Sequence, residues 1–255
     1  MATSPHRNRP YHWLAEYYDD IFNLHHAWFD DARRKILGRA LSTAASGCDL
    51  CCGPGRAAVQ LALRGIRMYG VDRSLIMCRQ AREKAKAAGA SLKVIHADMR
   101  DFKLPEPVDF MICEYDALNH LDKASDLASV ARCVARSLKP GGYFYFDVNH
   151  TRAFTEVWGN TWMVDLPDVA LIMHGGFKEE TGKGFIDVHW FVRNGKLWQR
   201  HFEYIEQVAW TGREVRDHLA ASGFGAVRAW DATPFFEGDS HITPGCRTFF
   251  RARRL

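Results

Sequence analysis

Nowhere in the 255 residues is there an apolar run long enough to span a bilayer, and the opening Met-Ala-Thr-Ser-Pro-His-Arg-Asn-Arg-Pro holds no apolar signal core. The expectation is a cytoplasmic protein with no membrane partner. No Gly-Lys-Ser or Gly-Lys-Thr occurs, which excludes a P-loop. Neither sign of charge dominates: 34 Lys and Arg against 30 Asp and Glu leave a net charge of +4, and the basic residues are scattered apart from Arg251, Arg253 and Arg254. That pattern argues against a nucleic-acid partner. The cysteines number seven, an odd count, and Cys48, Cys51, Cys52, Cys78, Cys113, Cys133 and Cys246 lie mostly within apolar stretches. They read as buried thiols of a reducing compartment. Cys48-x-x-Cys51 has no second ligand pair nearby, and His174, His189 and His201 are too far apart in sequence to claim a metal site. No metal is expected.

What is there is enough apolar material, 47% of the chain, for one α/β domain with a full core and an insertion. Apolar and aromatic residues recur at helical spacing over residues 11–41, and His25-His26 marks a break, so two helices are expected before the first strand. That strand ends at Asp49-Leu50-Cys51. Gly53-Pro54-Gly55 follows, then a helix over 56–63 built from good helix formers. A second strand, 68–71, ends in Asp72; Ser74 is placed to cap the next helix and Gly89 to stop it. Strands are expected at 92–96, 108–113 and 142–148, with a helix over 121–138. This alternation implies a parallel sheet with right-handed crossovers.

After His150 the pattern turns β-rich, at 162–164, 169–177, 185–193 and 196–209, with Asn194-Gly195 as a hairpin signal. A helix at 212–221 and strands near 226–230 and 247–252 then resume the first theme. The organisation expected is a helical cap over 1–45, a core over 46–150 and 209–255, and an antiparallel insertion over 151–208.

Gly53 and Gly55, between a strand and a helix, let backbone approach a ligand and leave helix N–H groups facing it. Asp72, at the tip of the second strand, is positioned to accept from both hydroxyls of a ribose. Asp98 closes the third strand in Ala97-Asp98-Met99-Arg100-Asp101, where a carboxylate can accept from an adenine amino group while Met99 packs on the ring. All three features fall at the carboxyl ends of successive strands, the edge where open α/β sheets bind ligands.

In residues and spacing, Asp49-Leu50-Cys51-Cys52-Gly53-Pro54-Gly55, Gly70-Val71-Asp72, Asp98-Met99 and Leu138-Lys139-Pro140-Gly141-Gly142 resemble class I S-adenosylmethionine-dependent methyltransferases. The resemblance covers about residues 45–150 well. It implies a Rossmann-like, seven-stranded, mostly parallel sheet with helices on both faces, and S-adenosyl-L-methionine as cofactor, leaving S-adenosyl-L-homocysteine. The cofactor site it implies comprises Tyr18, Cys51, Gly53, Gly55, Asp72, Arg73, Asp98, Met99 and Glu114. The family commonly has glycine where Cys51 stands. A cysteine does not take positive φ cheaply, so ordinary strand geometry is expected there. Gly53-x-Gly55-x-x-Ala58 also fits a dinucleotide fingerprint, against which stand Asp98-Met99 and the Leu-Lys-Pro-Gly-Gly segment.

Methyl transfer needs a nucleophile held in line with the methyl carbon, roughly 3 to 3.5 Å away. Glu114-Tyr115-Asp116-Ala117-Leu118-Asn119-His120 follows the fourth strand, where Tyr115 can line the methyl site and His120 can act as a base. Asn149 and His150 end the fifth strand and are expected to face the same cleft. Tyr11, Tyr17, Tyr18 and Asp19 add polar aromatic groups from the N-terminus, and the Tyr-Asp pair of Ala15-Glu16-Tyr17-Tyr18-Asp19-Asp20-Ile21-Phe22 resembles the N-terminal helix that closes over the site in glycine and amino-sugar N-methyltransferases, which places Tyr17 with Tyr115 and His120 among the catalytic candidates. The same group implies that the insertion forms a wall or a contact between copies of the chain. The leading expectation is N-methylation of a small-molecule acceptor by direct displacement. The alternatives are an O-methyltransferase, an RNA or protein methyltransferase, and a non-enzymatic cofactor-binding scaffold.

Overall fold

The structure, a computed structural model, describes residues 12–236 and 242–255; Tyr11 lies outside them. A long helix α1 (His12–Leu37) and a short α2 (Arg39–Ser42) precede strand β1 (Ser46–Leu50). There follow α3 (Arg56–Leu63), β2 (Arg67–Asp72), α4 (Leu75–Ala88), β3 (Leu92–His96), β4 (Val108–Cys113), α5 (Ala124–Ser137) and β5 (Leu138–Asn149). Strands β6 (Thr161–Asp165), β7 (Val169–Lys178), β8 (Lys183–Asn194) and β9 (Leu197–Val208) come next, then α6 (Gly212–Ala221), β10 (Phe224–Asp231) and β11 (Arg247–Arg254).

Seven strands form one sheet in the order β10-β11-β5-β4-β1-β2-β3. Strands β1 to β5 run parallel, and β11 enters antiparallel to both β5 and β10. The chain order reverses at β1 and β4, so the loops after β1 and β4 open a crevice between them. Side chains alternate across the sheet: Phe110 and Ile112 of β4 join the core beneath α1 and α3, while Met111 and Cys113 join the core beneath α5 and α6. All five residues of β1 are buried, as a central strand covered on both faces should be.

The four remaining strands form a separate antiparallel sheet in the order β6-β7-β8-β9. Its inner face packs Val169, Leu171, Val188, Trp190 and Ile205 against Leu14 of α1, with Trp13, Tyr17, Tyr18, Ile21 and Phe22 half-buried beside them. At the start of α1, where backbone N–H groups have no partner within the helix, the buried carboxylate of Glu203 accepts from the N–H of Trp13 at 2.8 Å and of Leu14 at 3.3 Å. It also accepts from Trp190 Nε1 at 3.0 Å. A residue of β9 thus caps a helix at the other end of the chain.

Three local expectations are corrected. No break occurs at His25-His26; α1 runs on to Leu37, because the apolar stripe continues and histidine is no helix breaker, and the chain turns at Gly38, φ +50°. Residues 117–120 form a single 3₁₀ turn, so α5 starts at Ala124. In the β8–β9 hairpin Asn194 pairs with Leu197, so the two-residue loop is Gly195-Lys196, with Gly195 supplying the positive φ.

Glu203→Ala should lower stability by about 2–4 kcal/mol, since one half-buried and two buried donors lose their acceptor. Urea midpoints, with faster amide exchange in the first turn of α1, are the measurement.

Candidate active site

The chain leaves β1 through Cys51 at φ +59°, against the expectation of strand geometry there. The next amide sets this: Cys52 N–H donates to Val71 O at 3.0 Å across β2, and the turn that permits it puts Cys51 in the left-handed region. Tertiary hydrogen bonding overrides a local preference of about 1–2 kcal/mol. Gly53 N–H donates to Asp72 Oδ2 at 2.9 Å and Ser74 N–H to Oδ1 at 2.8 Å, so the turn is clamped onto the carboxylate at the tip of β2. Gly55, φ +80°, opens α3; a Cβ there would lie 2.7 Å from that of Ala81 on α4. Glycine therefore sets how closely α3 and α4 approach behind the loop.

Above this edge lies a cavity of about 770 Å³, lined by Cys51, Gly53, Asp72, Arg73, Met99, Glu114, Tyr115, His120 and Tyr18, together with Ile76, Met77 and His96. Burial raises the pKa of Asp72 and the two amides pull it back. A carboxylate has about four lone-pair sites, which leaves capacity for two hydroxyl donors.

After β4 two consecutive residues, Tyr115 at φ +61° and Asp116 at φ +48°, are left-handed without being glycine. Such strain costs about 1–3 kcal/mol per residue and persists only where neighbours over-determine it. Here they do. Asp116 N–H donates to Asp147 Oδ2 at 2.9 Å. The Arg247 guanidinium bridges Asp116 at 2.7 Å and Asp147 at 2.5 Å, and Gln207 Nε2 donates to Asp116 as well. Arg247 also lies 5.4 Å from the centre of the Phe29 ring, on which the Tyr115 ring stacks at 4.0 Å. The Tyr115 hydroxyl is hydrogen-bonded to His26 Nδ1.

Behind Tyr115 the large cavity adjoins a chamber of about 50 Å³, lined by Tyr18, Asp19, His26, Asp30, Asp49, Arg56, Glu114 and Tyr115 among others. Arg33, buried, reaches Glu114 at 2.5 Å and pairs with Asp30, which also takes Arg56 at 3.1 Å. Burial lifts Glu114 to about 8 against the pull of Arg33, and Asp49 to about 7. Glu114 Oε1 is buried with no hydrogen-bond partner. His120, within hydrogen-bonding distance of Gln207 at 3.1 Å, is pushed down to about 4 by burial, so its ring is neutral at physiological pH.

Of the residues singled out in the sequence, Tyr18, Cys51, Gly53, Asp72, Arg73, Met99, Glu114, Tyr115 and His120 are brought together around the cavity. Tyr17 is not: its ring stacks on Trp190 at 6.1 Å, on the side facing the second sheet. Gly55 supports the loop from behind. Asp98 is absent from the lining, its carboxylate held by Arg100 through bonds of 2.8 and 2.9 Å. Asn149 and His150 are absent too. Asn149 exchanges hydrogen bonds with Asn119 at 2.8 and 2.9 Å, and His150 is tied to Trp210 O at 2.7 Å and Thr248 at 2.8 Å. His26, Arg33, Gln207 and Arg247 were not foreseen, since each sits in an ordinary helix or strand pattern and acquires its role across the fold.

Residues 48–142 match the family described as "Methyltransferase domain". YqeM of Bacillus subtilis (strain 168), a provisionally named methyltransferase, is 27% identical over 246 residues, covering 96% of this chain and 97% of that one. Among solved structures, an S-adenosylmethionine-dependent methyltransferase from Clostridium acetobutylicum superposes with a TM-score of 0.78 at 21% identity, covering 96% of this chain and 98% of that one. The sugar N-methyltransferase KedS8 from Streptoalloteichus does so with a TM-score of 0.77 at 18% identity, covering 100% and 97%.

Cys51→Gly should leave stability unchanged or raise it by up to about 1 kcal/mol, whereas Cys51→Val should lower it by about 2 kcal/mol, a β-branched residue being worse still at positive φ. Urea midpoints check both. For His120 the folded pKa of about 4 lies below the unfolded 6.5, so unfolding takes up a proton between those values. Stability from the neutral ring is present above pH 6.5 and lost as pH falls toward 4. His120→Gln should therefore gain stability relative to the native protein over that fall, read from paired denaturation curves.

Proposed function

We propose that this S-adenosylmethionine-dependent methyltransferase transfers its methyl group to the nitrogen of a small-molecule amine by direct displacement. The observation that carries the reading is the charge and hydrogen-bonding character of the inner end of the cavity. Asp19, Asp30, Asp49 and Glu114 gather there around Tyr18 and Tyr115, with Arg33, Arg56 and Lys84 as the opposing cations. Such a site offers oxygen acceptors to an N–H-bearing guest.

The cavity fits the cofactor chemically. Asp72 has acceptor capacity left for a ribose, Met99, Ile76 and Met77 offer apolar surface for a base, and Gly53 with the unpartnered Glu114 Oε1 adds polar groups for an amino acid moiety. When bound, S-adenosylmethionine supplies a sulfonium methyl open to nucleophilic attack. The protein's part is orientation and exclusion of water. Tyr18, Tyr115 and His120 hold the acceptor, whose nitrogen must be neutral to attack. Tyr17 acts through packing only, by keeping α1 on the second sheet.

A hydroxyl acceptor would need a base to remove its proton. Of the three groups that hold the acceptor, His120, at about 4, is a weak one, and burial raises both tyrosines above the ordinary phenol value. That favours nitrogen over oxygen.

The test is incubation with labelled S-adenosylmethionine and matched amines and alcohols of small-metabolite size, read by mass spectrometry. Label on amines is expected; label on alcohols alone, or on RNA or protein, would displace the reading. By calorimetry, Asp72→Ala should weaken S-adenosylhomocysteine binding by about 1.5–3 kcal/mol. Unchanged affinity would remove Asp72 from the site.

A further inference from the structure

His26 Nε2 and Asp19 Oδ1 are both buried polar atoms without a hydrogen-bond partner, and they stand 4.0 Å from each other. The other nitrogen of the same ring, Nδ1, is bonded to the hydroxyl of Tyr115, which lines both the large cavity and the chamber behind it. Three groups from two elements therefore stand in a row: Asp19 and His26 of α1, and Tyr115 after β4. We propose that Asp19 and His26 are a positioning pair, which rests on the amine reading above: Asp19 holds the His26 proton on Nε2, so the Tyr115 hydroxyl donates to Nδ1 and its oxygen is left as an acceptor for an N–H of the incoming amine.

The electrostatics select this arrangement over its reverse. Across 4.0 Å an N–H dipole aimed at Asp19 is attracted to the carboxylate, whereas a bare ring nitrogen there would set a lone pair against it. The second oxygen of Asp19 pairs with Lys84. The groups facing His26 are Asp19 and Asp30 from α1, Arg56 from α3, Lys84 from α4 and the Tyr115 hydroxyl. Arg56 and Lys84 oppose a second proton on the ring, and burial takes His26 down to about 4, so the ring carries one proton at neutral pH.

Which nitrogen carries that proton decides what Tyr115 can do. With the proton on Nδ1, the tyrosine O–H would be free to donate forward and would bind the amine's lone pair, the very orbital that must attack the methyl group. With the proton on Nε2, the tyrosine oxygen takes an N–H instead and the lone pair stays available. The pair therefore discriminates for a guest that donates at this point and attacks with its own lone pair.

The experiment is a long-range nitrogen–proton correlation spectrum of the full chain, labelled with nitrogen-15 histidine, near neutral pH, with and without S-adenosylhomocysteine. His26 should be neutral with its proton on Nε2, and Asp19→Asn should reduce the excess of that tautomer about tenfold. Tyr115→Phe should move the Nδ1 resonance toward that of a ring nitrogen accepting no hydrogen bond. A proton on Nδ1, a cationic ring, or a tautomer ratio unchanged in Asp19→Asn overturns the proposal; if that variant does not fold, the native spectrum and Tyr115→Phe decide. Because the tautomer is read without any acceptor, failure of the amine or cofactor assignment shows up separately, in the transfer and binding assays.

Discussion

The largely buried guanidinium of Arg247 is the constraint on which the site depends. It lies between Asp116 and Asp147 and against the Phe29 ring, so one side chain of β11 joins the loop after β4, the end of β5 and the inner face of α1. Burying three charges brings little net stability, because desolvation offsets most of their attraction. What the arrangement fixes is conformation. Two successive non-glycine residues are held left-handed, and the side chain of the first is aimed at His26 and stacked on Phe29. An apolar replacement of similar volume could fill the space without specifying that turn.

Around this point the cavity draws on two structural sources. The edge formed by β1, β2 and β3 supplies Cys51, Gly53, Asp72 and Met99, a rigid cradle whose hydrogen bonds are made among neighbouring strands. The opposite wall, with Tyr18 and Tyr115, depends on α1, and α1 in turn depends on the second sheet through Trp190, Leu171 and Glu203. The two walls are thus supported separately, and they meet at Glu114 and Tyr115, which line both the cavity and the chamber behind it.

Much of the cradle was legible in the sequence because its signals are local. A strand, a glycine turn, a helix and an acid at the next strand tip fall within a few tens of residues, and Ser74 and Gly89 cap the following helix as their types predict. The opposite wall was less legible. His26 lies 89 residues from Tyr115, Arg247 lies 131 from Asp116, and Glu203 lies 190 from Trp13, so none of these partners leaves a trace in a short window. Cys51 misled for a related reason: the amide of Cys52 bonds to Val71 on another strand, and that bond sets the cysteine's backbone. Tyr17 misled through helical geometry, since adjacent residues on a helix point in directions about 100° apart and only Tyr18 turns toward the cavity.

The unbroken course of α1 through His25 and His26 makes the helix a lever. Its first turn is gripped by Glu203, while Phe29, roughly 24 Å further along at 1.5 Å per residue, lies under the Tyr115 ring. A straight rod passes a tilt at one end to the other, where a hinge at its middle would absorb it. The second sheet therefore aims Tyr115 from a distance, and substitutions in β8 and β9 that never approach the cavity can retune its geometry while the cradle stays as it is.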